Sequence, residues 1–122
     1  MRKFSWILVF ALLGHVPPAA AGGFVPGIED LPLMAGLRPG ASGPLVFDTP
    51  AGRIVESPLA GDVTPDRVLE FYREVLPQLG WRLLSGRAFQ REGERLRIEF
   101  PTRPDAGFAV RFTLRPAGAG GE

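Results

Sequence analysis

Cysteine is absent from the 122 residues, histidine occurs once, as His15, and lysine once, as Lys3. The first absence rules out disulfides, thiolate metal sites and thiol nucleophiles. A Ser-His-Asp triad would have to recruit His15, and a Schiff base Lys3. Charge of one sign is also missing: 14 basic side chains face 13 acidic ones, for a formal net charge of +1. That balance is unlike the strongly basic footprint of a nucleic-acid binder, and no nucleic-acid partner is expected.

What is present begins with an export-like leader. Arg2 and Lys3 precede an apolar run from Phe4 to Val16, broken only by Ser5, Gly14 and His15. Pro17 and Pro18 stop any helix, and Ala19-Ala20-Ala21 offers a small-residue cleavage site before Gly22. The run is about 13 residues, against roughly 20 for a helix that crosses a bilayer. The competing reading is an anchor that is never removed. A lipidated anchor would need a cysteine at the cleavage point. Residues 1–21 are therefore read as a signal peptide, the destination as the periplasm, and the processed chain as having no transmembrane segment.

Cleavage would discard both His15 and Lys3. The processed chain would hold carboxylates, hydroxyls and arginines as its only polar chemistry. Twelve arginines would then meet 13 acids. Paired carboxylates can cut a glycosidic bond and clustered ones can hold calcium, but the acids show no such motif. Asp62 and Asp66 straddle a helix start, Glu92 and Glu94 flank a turn glycine, and Glu29-Asp30 are adjacent. They read as caps and solvated turn residues. No catalytic, metal or cofactor residue is assigned.

Residues 22–43 are rich in Gly and Pro and read as an extended, irregular arm, parts of which should lie against the domain through Ile28, Leu31, Leu33, Met34 and Leu37. Residues 44–116 read as an α+β domain and residues 117–122 as a flexible tail. Strands are expected at 45–48 and 53–57, joined by a turn with Pro50 second and Gly52 fourth. Pro58 should end the second strand or mark an edge.

Thr64-Pro65-Asp66 signals a helix start by capping, a preset φ and a favourable dipole charge. Val68, Tyr72, Val75, Leu76 and Leu79 make an apolar stripe, Leu69 and Phe71 widen it, and Gly80 ends the helix. Strands at 81–84, 88–91, 95–101 and 108–115 follow, with Glu92-Gly93 as a two-residue hairpin turn and Arg103-Pro104-Asp105-Ala106-Gly107 as the last turn. The expected fold is one helix on an antiparallel sheet of five or six strands (β-β-α-β-β-β). A pairing of Phe100 with Phe108, Ile98 with Val110 and Leu96 with Phe112 puts every inward residue opposite an inward partner.

That register sets Arg97 opposite Arg111, with Arg95 and Arg115 nearby. The four form a candidate anion- or partner-binding patch, since arginine's planar fork suits carboxylate and phosphate. The competing reading is a solvated face neutralised diagonally by Glu99 and Glu94. Trp81 is weighed as a ligand platform against core packing, and Tyr72 as a site residue against an interior hydrogen-bonded role. Core packing and the interior role are preferred.

Gly52-Arg53-Ile54-Val55-Glu56, Asp30-Leu31-Pro32-Leu33-Met34-Ala35-Gly36-Leu37 and the helix motif FYREVLPQLGW, Phe71 to Trp81, resemble small exported alphaproteobacterial proteins of uncharacterised function. The resemblance spans about residues 28 to 115. It implies the fold and the compartment, and supplies no activity or site residues.

The expected function is a non-catalytic periplasmic binding or envelope-accessory domain, whose partner is an envelope protein or an anionic lipid. The alternatives are a carboxylate-only hydrolase acting on envelope glycan, and an assembly or stability factor. A deep cleft with two facing carboxylates would favour the enzyme. An unpaired strand edge or an apolar groove would favour capture of a polypeptide.

Overall fold

The computed structural model describes residues 23–101 and 108–118. The expected leader, the turn at 103–107 and most of the expected tail lie outside the described residues. Among the described residues seven strands form one antiparallel sheet: β1 (Leu37–Pro39), β2 (Leu45–Thr49), β3 (Gly52–Gly61), β4 (Arg82–Ser85), β5 (Ala88–Arg91), β6 (Glu94–Glu99) and β7 (Phe108–Pro116). One helix, α1 (Pro65–Val75), follows β3 and runs into a 3₁₀ turn, Leu76–Leu79. The α+β class is as the sequence implies, with seven strands in place of five or six and the order β-β-β-α-β-β-β-β.

The spatial order is β1-β3-β7-β6-β5-β4, and β2 also pairs with β3. β1 pairs with Leu59–Gly61 and β2 with Gly52–Glu56. Both strands are antiparallel to β3, so together they make one edge interrupted at residues 40–44. Pro58 explains the interruption. Its carbonyl accepts from the Gly40 N–H at 2.8 Å, so the position where its own N–H would lie faces the same outer side. A proline there removes a ladder donor only where the edge already breaks. β3 therefore runs three residues past Pro58, which accounts for the longer strand and for the seat that β1 occupies.

Helix α1 starts as its sequence dictates. Thr64 Oγ1 accepts from the Arg67 N–H at 3.4 Å, Pro65 occupies the first turn, and Asp66 sits at the positive end of the dipole. The 3₁₀ turn absorbs Pro77, and Gly80 closes it at φ 94°, a left-handed conformation that glycine adopts cheaply. Val68, Leu69, Tyr72 and Leu76 are buried against Val55, Leu59, Phe89, Leu96, Ile98, Val110, Phe112 and Leu114 of the sheet, in one core. The Tyr72 and Phe112 rings meet edge to face at 5.0 Å.

The arm completes that core. Val25, Ile28, Leu31, Leu33, Met34 and Leu37 are all buried in it. Its backbone turns on itself through bonds such as Val25 N–H to Leu31 O at 2.8 Å and Leu37 N–H to Met34 O at 3.0 Å, which pair backbone groups that burial takes from water. Among the described residues its one strand is β1, and Phe24 and Pro32 form an isolated antiparallel bridge. Gly61 lets β1 close on β3, since a Cβ there would collide with the Gly36 carbonyl oxygen. Arg91 fastens the arm to the sheet: it donates to Asp30 Oδ2 at 2.7 Å and to Leu79 O at 3.0 Å, and lies 4.4 Å over the Trp81 ring. Trp81 and Tyr72 are thus both core residues.

The β5–β6 hairpin matches its expected register, with Phe89 opposite Leu96 and the turn residues Glu92 and Gly93 at φ 47° and 83°. The β6–β7 register does not. Ile98 faces Phe112 and Leu96 faces Leu114, a slip of two residues from the expected pairing. Side chains alternate with period two, so a slip of two leaves every residue on its face and the hydrophobic pattern does not detect it. The charges do: the observed register sets Glu99 opposite Arg111 and replaces the expected Arg97–Arg111 pair with Arg97–Thr113.

A candidate binding edge and an arginine face

The sheet has one face on the core and one in solvent. All four candidate arginines lie on the solvent face, in three cross-strand rows. Arg95 faces Gln90 on one side and Arg115 on the other. Arg97 lies between Ala88 and Thr113, and Arg111 between Glu99 and Pro58. Arg111 Nε and Nη2 both donate to Glu99 Oε1, at 2.9 and 2.8 Å. Arg95 Nη2 donates to Gln90 Oε1 at 3.3 Å. Arg97 and Arg115 are exposed and make no ion pair among the described residues. The face therefore gathers the four arginines and pairs Arg111 directly with Glu99.

Three of the acids among the described residues are tied to arginines. Asp30 is committed to Arg91 at 2.7 Å, Glu94 to Arg53 at 3.2 Å, and Glu99 to Arg111. Asp66, Glu70 and Glu74 line an open trough of about 580 Å³ along the exposed side of α1. Among the described residues no three His, Cys, Asp or Glu side chains are grouped so as to hold a metal ion. No helix among them is long and apolar enough to cross a membrane.

The feature that stands out is β2. One side of it pairs with β3, and no described strand pairs with the other. Leu45, Val46 and Phe47 are consecutive and exposed, at 54%, 54% and 51%. Val46 lies opposite the buried Val55 and so belongs to the core face, whereas Leu45 and Phe47 project on the solvent face. Natural sheets blunt such an edge with lysine, proline or inward charges; here Pro44 and Pro50 stand outside the strand, and Asp48, on the same face as Val46, is the single charge within it. The opposite edge, β4, carries the exposed Leu83 and Leu84, but its pairing with β5 is irregular between Leu83 and Ser85. A bulged strand is a poorer template for another chain.

Sequence reading located β2 but not its position. The sequence predicts a strand at 45–48 without placing it at an edge. Its three successive apolar residues, in place of alternation, were the available sign that neither face excludes an apolar contact. No family model, curated protein or solved structure matches the chain.

Proposed function

We propose that this chain is an exported, non-catalytic envelope module that captures an extended segment of a partner protein on the free side of β2. The observation that carries the reading is the exposed Leu45-Val46-Phe47 triplet on a strand edge that no described strand covers. An added strand would gain main-chain hydrogen bonds from the edge and alternate side-chain contacts on its two faces. Binding of this kind needs neither imidazole nor amine, the groups that signal cleavage would remove. The leader and the resemblance to small exported proteins support the compartment.

The test is crosslinking of the processed chain in envelope extract, followed by identification of the captured protein and hydrogen exchange on the purified complex. Protection of the β2 amides, and at least a tenfold loss of affinity in Phe47→Lys with an unchanged melting temperature, are expected. A partner held equally well by Phe47→Lys, or binding to anionic vesicles in its place, would refute the proposal.

A further inference from the structure

The solvent face of the sheet contains a depression of about 790 Å³ beside the break between β1 and β2. Its origin is local. Most of this face carries long side chains, but here the floor is Pro58, Ala60 and Ala109, and the interrupted edge at residues 40–42 forms a wall. Arg38 and Arg111 line it, and no carboxylate among the described residues does.

The two arginines differ in commitment. Arg111 spends Nε and Nη2 on the single oxygen Glu99 Oε1, and its side chain remains 42% exposed. Its Nη1 has no protein partner among the described residues. Arg38 is exposed and makes no ion pair or side-chain hydrogen bond among them. It lies opposite Ala60, on the same face as Arg111, which lies opposite Pro58. Two guanidinium groups thus border a small-residue floor, with the Ser42 hydroxyl in the wall. Counting Glu99, Arg38 and Arg111 leave the charge of one cation among the described residues there.

We propose that this depression binds a small organic monoanion: one carboxylate held by Arg38 and Arg111, attached to a compact apolar body resting on Pro58, Ala60 and Ala109. The volume lies within the usual range of about 300 to 1,000 Å³ for small-ligand sites. Arginine's fork matches a carboxylate in two bonds, and the apolar floor contributes only if the anion carries hydrocarbon. The site is on the broad face rather than the free side of β2, and its occupancy is independent of strand capture.

The experiment is an NMR titration of the processed chain with hexanoate, with hexanol and inorganic phosphate as separate arms. Hexanoate is expected to shift the amides of residues 38–42 and 58–60 saturably, and neither hexanol nor phosphate to do so. Arg38→Ala is expected to weaken hexanoate about tenfold, the scale of one charge-assisted contact, without moving the melting temperature. Ala60→Phe, which fills the floor, is expected to abolish binding. Hexanol binding as well as hexanoate, phosphate shifting the same amides as strongly, or Arg38→Ala and Ala60→Phe both binding like the parent would overturn the assignment.

Discussion

Tyr72 holds the arm to the helix through one hydroxyl. That hydroxyl donates to Pro32 O at 2.7 Å and accepts from the Met34 N–H at 3.0 Å, both within the core. Tyr72→Phe leaves a buried carbonyl and a buried N–H without partners, and a loss of about 1–3 kcal/mol in denaturant unfolding is expected. The same burial pushes the phenol well above the ordinary tyrosine range, and the Met34 N–H, which favours the phenolate, opposes this less strongly. Below about pH 10 the phenol is neutral in both states and its contribution is intact. Above that pH the unfolded chain releases the proton while the folded chain keeps it, so stability falls as pH rises. Chemical denaturation from pH 9 to 11 is expected to show this decline in the parent and to lack the Tyr72 part of it in Tyr72→Phe. Identical slopes would place the titration elsewhere.

At the scale of elements, the β6–β7 register rests on what lies opposite what. Hydrophobic alternation admits both the pairing that faces Arg97 with Arg111 and the one observed, because two-residue slips preserve faces. The Glu99–Arg111 pair discriminates between them. Glu99→Arg places like charges opposite each other and is expected to cost about 0.5–1 kcal/mol. Adding Arg111→Glu restores the pair in reverse and should recover most of that loss. A double variant no more stable than the sum of its single variants would show that the register is held by packing alone. Helix α1 presents the contrary case: its cap and its glycine stop are local and follow from sequence, as does most of its stripe, although Leu79 is exposed and Val75 half-buried.

At the scale of the whole molecule, the arm is part of the core rather than an appendage. Removing residues 22–40 deletes six buried apolar side chains, both partners of the Tyr72 hydroxyl, and β1. Each buried aliphatic side chain contributes about 1.5–3 kcal/mol, against a total stability of about 5–15 kcal/mol for a typical domain. A chain beginning at Ala41 is expected to lose its cooperative thermal transition. A sharp transition near the parent's would show that residues 44–116 fold by themselves.

The sequence by itself determined the α+β class, the helix with both its ends, the Glu92-Gly93 hairpin and the identity of most core residues. These follow from short-range causes: capping, backbone preference and the periods of 3.6 and 2. The loss of imidazole and amine on cleavage of the leader is likewise an expectation from sequence alone. Tertiary structure decided what requires distant segments to meet. It threaded β3 past Pro58, because only the neighbouring strands reveal that the missing donor faces a gap. It made a strand of Leu37-Arg38-Pro39, residues that read locally as loop. It set Arg38 and Arg111 on one depression although 73 positions separate them, and it left β2 at an edge, which is a property of strand order and not of the strand.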